Sequence, residues 1–246
     1  MKRIIIMALG VLMALALATP MALAQVGPGD EAAGTPEELA AAWTQWAYSK
    51  PVGVSPMIGS YEGGAKCDGT PVSPTQKKTW FLAGTPDGSK VVRTCTMPDQ
   101  TQLFFPVVSA MAFPFFPGEN RTNQRELAIA FIDAVQNSPK VKMLVTVDGK
   151  KVASDQIVRA LSPIFTVTLP EDNVFDCPQC DPPFDLQGGE YKNASADGLW
   201  VSLQPLRPGE HIIHFKLSAP NADVFPTNPG IEGFSQDNTY NLTVVH

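Results

Sequence analysis

Thr79 to Val108 reads TWFLAGTPDGSKVVRTCTMPDQTQLFFPVV, and its pattern decides the fold. Trp80 and Leu82 alternate with Phe81 and Ala83. Val91, Arg93, Cys95 and Met97 alternate with Val92, Thr94 and Thr96. Leu103 to Val108 is apolar throughout. Alternation of period two with β-branched and aromatic residues predicts strands. The breaks at Pro86-Asp87-Gly88 and Pro98-Asp99 carry turn chemistry. The simplest arrangement is an antiparallel meander of three strands. Its third strand, apolar on both faces, belongs at the centre of a core.

Working outward, turn-bounded alternation recurs. Val141 to Val152 predicts a hairpin turning at Asp148-Gly149. Ile164 to Leu169, Leu199 to Leu203, His211 to Leu217 and Tyr240 to Val244 predict further strands. Pro170 to Asp197 reads as irregular and acidic. Two helices interrupt this pattern. Thr35 can cap the first, Pro36 suits its first position and Glu38 completes a capping box. Leu39, Ala42, Trp43, Trp46 and Ala47 share one face, and Lys50-Pro51 ends it. Asn123 and Glu126 open the second, with Leu127, Phe131, Ala134 and Val135 along one face. Ala110 to Arg121 is a Phe/Pro-rich loop, a plug for the end of a sandwich or a binding rim. The expectation is a mainly β protein: a single β-sandwich, Ig-like or jelly-roll, with two short accessory helices over residues 35–246.

Residues 1–24 read as a signal peptide. Lys2 and Arg3 precede an apolar run, and Ala22-Leu23-Ala24 suits cleavage before Gln25. Residues 25–34 form a flexible lead. The 246 residues less the 24 of the leader leave 222, with no later stretch apolar enough to span a membrane. The 18 basic residues lose two with the leader while the 24 acidic ones stay, so the remaining chain is acidic. No cluster of Lys or Arg stands out, which disfavours nucleic acid and anionic membrane as partners. The expected location is secreted or periplasmic.

The helix opening Thr35-Pro36-Glu37, Cys67, Trp80-Phe81-Leu82-Ala83-Gly84, Arg93-Thr94-Cys95 and Phe104-Phe105-Pro106 together resemble a family of secreted microbial proteins. That family has a tryptophan-rich N-terminal helix followed by WFLAG, RTC and FFP strand motifs. The similarity covers about residues 35 to 108, with a weaker likeness near Asp197-Gly198 and Pro205 to His211. The family's helix carries more tryptophans than Trp43 and Trp46. The resemblance implies export and this order of elements, and it implies no activity.

Little in the chain points to catalysis. His211 and His214 stand three apart on a strand and face opposite ways, and His246 is terminal. No nucleophile-elbow pattern is present. Two carboxylates could hydrolyse a glycan, but spacing in sequence does not bring two together. Cys177-Pro-Gln-Cys180 has CxxC spacing without the strand and helix of a redox motif, and one pair is short of a structural zinc site. A disulfide loop is the simpler reading, and no metal or cofactor is expected. Cys67 should pair with Cys95, in the predicted strand beside it. The alternatives join Cys67 and Cys95 to Cys177 and Cys180.

Arg93 shares a face with Val91 and Cys95, so it points inward and needs a carboxylate, Asp197 or Glu62. Trp43, Trp46, Arg93, Asp197 and Trp200 are the candidate ligand contacts, though the two helix tryptophans also suit docking onto a sheet. Asn120, Asn193 and Asn241 open glycosylation sequons. The leading expectation is a non-catalytic exported sandwich binding a ligand or a protein partner. The alternatives are a carboxylate-dependent, glycan-directed hydrolase and a structural envelope protein.

Overall fold

The computed structural model describes residues 34–73, 76, 78–114, 121–177, 184–219 and 233–246. The expected leader, Cys180 and all of the lead except Gly34 lie outside them, so the pairing of Cys177 with Cys180 does too. Among the described residues, no helix is long and apolar enough to cross a membrane.

Helix α1, Pro36–Tyr48, starts as its sequence dictates. The Glu38 amide donates to Thr35 Oγ1 at 3.3 Å, and the Thr35 amide donates to the Glu38 carboxylate at 2.9 Å. The strands are β1 Tyr61–Glu62, β2 Thr79–Phe81, β3 Lys90–Pro98, β4 Gln102–Ala112, β5 Lys142–Val147, β6 Lys150–Lys151, β7 Ile157–Leu161, β8 Phe165–Leu169, β9 Asp176–Cys177, β10 Phe184–Asp185, β11 Gly189–Leu203, β12 Gly209–Ala219 and β13 Phe234–Val245. One sheet runs β1-β3-β13-β12-β5-β6 and the other β2-β4-β11-β7, with β8 on the first half of β11. Helix α2, Arg121–Asn137, packs on β4 and β11. The protein is therefore mainly β, a sandwich with two helices.

The antiparallel meander is not what forms. β2 lies parallel to β4, with Trp80 opposite Leu103. β3 belongs to the other sheet, parallel to both β1 and β13. Alternation tells which side chains face the core; it does not name the neighbouring strand. Here the two turns carry the chain across the sandwich. After β3 the Asp99 amide donates to the Val245 carbonyl, and Gln100 takes a φ of 57°. Cys95 and Met97 thus share one core with Leu103, Phe105 and Val107, all buried.

β4 sits in the middle, as its apolar run predicts. Pro106, which has no amide to give a ladder, lies opposite Trp200 beside a bulge that leaves Val107 as the extra residue. The freed Val107 carbonyl accepts from the Gln236 side chain of the opposite sheet. Beyond β4 a second core forms under α1. Trp43 Nε1 donates to the Leu82 carbonyl and Trp46 Nε1 to the Asp68 carbonyl, each at 2.8 Å. Trp200 stacks on Phe104 with centroids 5.2 Å apart and meets Trp43 edge-on at 5.5 Å.

Other elements depart from expectation for local reasons. β11 begins at Gly189, so the polar run before Asp197 is strand rather than irregular chain. Asn193, at a φ of 63°, marks the point where its register with β8 shifts. β7 has no alternating signal strong enough to read. α2 begins at Arg121, so Asn123 is inside it and not its cap. Its buried face is Ala128, Ile132 and Val135, while Leu127 is 69% exposed. The hairpin at Asp148-Gly149 forms as expected, with both residues at positive φ, 50° and 76°.

The Cys67–Cys95 disulfide is present, with Cα atoms 5.4 Å apart. Its route differs from the expected one. The turn Ala65–Cys67 follows β1, and β1 itself lies beside β3. Replacing both cysteines by alanine should cost about 3–4 kcal/mol, the loop entropy of a separation of 28 residues. Urea denaturation of the double variant against the oxidised protein measures this, and a loss under about 1 kcal/mol would show that β1 holds β3 without the bond.

Candidate functional site

Arg93 is a charged group with no exposed surface. Alternation turns it inward as expected, but among the described residues no carboxylate pairs with it. Its guanidinium donates to the carbonyls of Ala83 at 2.5 Å, Gly59 at 3.1 Å and Gly84 at 3.4 Å, and to the Tyr240 hydroxyl at 2.7 Å. The rings of Tyr61 and Tyr240 lie 5.1 and 5.4 Å from it. Carbonyl dipoles and two π faces stand in for an anion. Burial, then the neighbouring Tyr240, push the Tyr61 phenol far above its ordinary value, so it stays neutral. Glu62, one of the two expected partners, is exposed on the edge strand β1.

The other expected partner, Asp197, serves a different arginine. It too is fully buried, and it accepts from Arg159 Nη2 at 2.7 Å and Nε at 3.3 Å, and from the Gly198 amide at 2.8 Å. Arg159 reaches on to Asp133, to Gln136 at 3.0 Å and to the Ile129 carbonyl at 3.3 Å, all on α2. The bond to Asp197 is the chief reason its guanidinium is held above the ordinary arginine range, against the pull of burial. The network clamps α2 onto β7 and β11. Gly198 has no room for a side chain: a Cβ there would sit 2.8 Å from the Val108 carbonyl. Trp200, on the opposite face of β11, is buried and donates to the Ala160 carbonyl at 3.1 Å.

The five candidate contacts are thus not one site. Trp43, Trp46 and Trp200 line the layer under α1. Arg93 lies at the β3–β13 seam, and Asp197 lies beneath α2. Trp43 also edges a cavity of about 210 Å³ shared with Tyr48, Pro106 and Phe234. None of the Phe, Tyr and Trp side chains whose placement is described is exposed.

An accessible groove lies elsewhere, at the open side of the sandwich between β5 and β7. It encloses about 310 Å³, with Leu199 and Ile157 as floor, Val135 and Gln136 of α2 as one wall, and Val141 and Met143 as the other. Gln136 links it to the Arg159 clamp. β6 covers only Thr146 and Val147 of the β5 edge. Met143 is 40% exposed; Lys142 stands exposed beside it, and Lys150 and Lys151 stand exposed at the far end of β5. These lysines read as scattered in the sequence; the hairpin brings them to one edge. Met143 and Arg159 carried no signal of their own, because the groove is assembled from four separate elements.

All three histidines meet aspartates: His211 with Asp148 at 2.8 Å, His214 with Asp237 at 2.9 Å and His246 with Asp99 at 2.7 Å. His211 and His214 face opposite sides of β12, as the alternation requires. Among the described residues, no group of three or more His, Cys, Asp or Glu is placed to hold a metal ion.

No family model matches the chain, and no curated protein matches it. Among solved structures it is similar to the crystal structure of the cysteine protease inhibitor EhICP2 from Entamoeba histolytica, at 12% identity. The match covers 67% of this chain and 96% of that one, with a TM-score of 0.21. A likeness at that score carries no argument about fold or activity.

Asp197→Ala should leave Arg159 without its buried partner and loosen α2. A loss of about 2–4 kcal/mol in thermal or urea unfolding is expected, and a loss below about 0.5 would show the clamp to be dispensable. The Asp148–His211 pair gives a pH prediction. Burial alone would raise the Asp148 carboxyl, but the Ile212 amide, the His211 ring and Lys150 outweigh it and hold it below 3.8. Burial works against protonated His211, but Asp148 and the Arg207 carbonyl outweigh that and hold it above 6.5. The stabilisation is therefore full between these values. It is lost as pH falls through the lowered Asp148 value, or rises through the raised His211 value. The gap in Tm between the wild type and Asp148→Asn should be widest near pH 5 and narrow towards pH 8, and a gap constant with pH would remove the ionic pair as its cause.

Proposed function

We propose that the chain is an exported β-sandwich that binds a partner in the groove between β5 and β7 and carries out no chemistry of its own. The observation that carries this reading is the groove itself. It combines an apolar floor, a half-open β edge and a rim of polar and basic side chains, the make-up of a binding surface. Export is supported by the leader-like start and by a disulfide, which forms and persists in oxidising compartments.

The resemblance to the secreted family with WFLAG, RTC and FFP motifs fits this reading. Arg93 of the RTC motif binds the Ala83 and Gly84 carbonyls of WFLAG, Cys95 holds Cys67, and Phe104 of FFP stacks on Trp200. The shared residues would then specify the scaffold, leaving the edge free to vary. The hydrolase reading gains no such support. Two carboxylates of the neighbouring elements, Asp133 and Asp197, are both engaged by Arg159.

Selection of a displayed peptide library on the purified protein, with Ser154→Trp as counter-target, tests the site. Ser154 lines the groove and is exposed, so the indole should fill the space without disturbing the fold. Enriched binders should bind the variant at least about tenfold more weakly. Equal binding to both proteins would place recognition elsewhere.

A further inference from the structure

The β5 edge is poised to accept another strand. β5 pairs with β12 along its whole length, Lys142 to Val147 opposite Ser218 to Ile213. On its other side β6 stops after two residues, and only the Val152 amide reaches back, to the Val145 carbonyl at 3.0 Å. Hydrogen-bonding groups alternate along a strand, so if Val145 points to this side Met143 does too. Among the described residues no backbone partner meets Met143 there. An unpaired edge of this kind is a template for an incoming strand.

Side chains around the edge define the incomer. On the core side, Met143 opens onto the apolar groove with Val135, Val141, Ile157 and Leu199. On the outer side the same alternation places Lys142, and the pairing of Lys151 with Thr146 places Lys151 there too. Lys216 stands opposite Leu144 on that face. Residues 140–155 carry Lys140, Lys142, Lys150 and Lys151 against Asp148 and Asp155, in a chain of net charge −6. Of the aspartates near this face, Asp148 is engaged by His211 and Asp237 by His214.

We propose that the groove takes an extended peptide segment of a protein partner, which adds to β5 as a strand. Its alternate residues are apolar towards the groove and acidic towards Lys142, Lys151 and Lys216. The lysines also disfavour a second copy in this place, since edge-to-edge pairing of two β5 strands sets lysine against lysine. This rests on the groove being the binding site, and the test separates the two.

The probe is a fluorescein-labelled octapeptide of alternating glutamate and valine, read by fluorescence anisotropy on the full chain, with a lysine–valine octapeptide as control. The glutamate peptide should bind at least about tenfold more tightly, and its advantage should shrink as salt rises from about 0.05 to about 0.5 M. Met143→Pro, which removes the edge amide, should weaken it about tenfold, as should Lys142→Glu with Lys151→Glu. Near-unchanged melting temperatures would certify the fold. Should Met143→Pro fail to fold, N-methylation of alternate residues of the peptide removes the same ladder bonds and should abolish binding. Equal affinity for the two peptides overturns the proposal, as does binding indifferent to both Met143→Pro and N-methylation. A dimer in sedimentation that Met143→Pro dissolves overturns it in favour of a second copy. Peptides that need an open Ser154 but ignore the edge leave the groove as the site and remove the strand.

Discussion

A cation sealed from water must have its charge and its donors met inside the protein. Arg93 meets that demand with main chain and aromatic rings. The carbonyls it uses, from Gly59, Ala83 and Gly84, belong to two loops far apart in sequence, and Tyr240 belongs to β13. Tyr240 also exchanges bonds with Ala83, accepting from its amide at 3.0 Å and donating to its carbonyl at 2.9 Å. One guanidinium therefore fixes where the chain leaves β2, where it enters β1 and where β13 lies. A wrong arrangement leaves a bare charge in a dry place, which costs several kcal/mol. That penalty makes the native arrangement specific more than it makes it stable.

The rest of the sandwich is built around this point in layers. Cys95, two residues along the same face, ties β3 to the turn after β1. Across the core, the bulge at Pro106 lets β4 remain central despite a missing amide, and Gln236 takes the carbonyl it frees. Behind β4, the tryptophans of α1 cover the second face of the sheet and spend their N–H groups on carbonyls of the loops either side of β2. Gly84 belongs to this closure, since a Cβ there would lie 2.1 Å from Gln236 Oε1. α2 covers what remains, held by Arg159 and Asp197.

Much of this could be read in the sequence, and the failures have a common form. Capping residues gave the start of α1, alternation gave the inward faces of β3 and β12, and Asp148-Gly149 gave its hairpin. Each is a property of residues close together in the chain. Sheet membership is not, and so local pattern alone puts the strands of Thr79–Val108 in one sheet, whereas they divide between two. Alternation turns Arg93 inward, but most of its hydrogen bonds go to backbone carbonyls, which leave no mark on a sequence. Asp197 sits in a run of small residues, Ala194 to Gly198, whose lack of large apolar side chains hid a strand buried beneath both helices. The groove depends on α2, β5, β7 and β11 converging, a long-range fact that no local pattern encodes.

The position of β13 has a consequence for how the chain acquires its structure. This strand comes after every other described strand in sequence, yet it lies inside its sheet, between β3 and β12. Until Phe234–Val245 is available, β3 has no neighbour but the two residues of β1, and Arg93 lacks the Tyr240 hydroxyl. The pairing of β3 with β13 closes a loop of more than a hundred residues, an entropically late event. A chain emerging from the ribosome therefore carries its RTC strand without its main sheet neighbour until Phe234–Val245 has been made, while β2 can already meet β4.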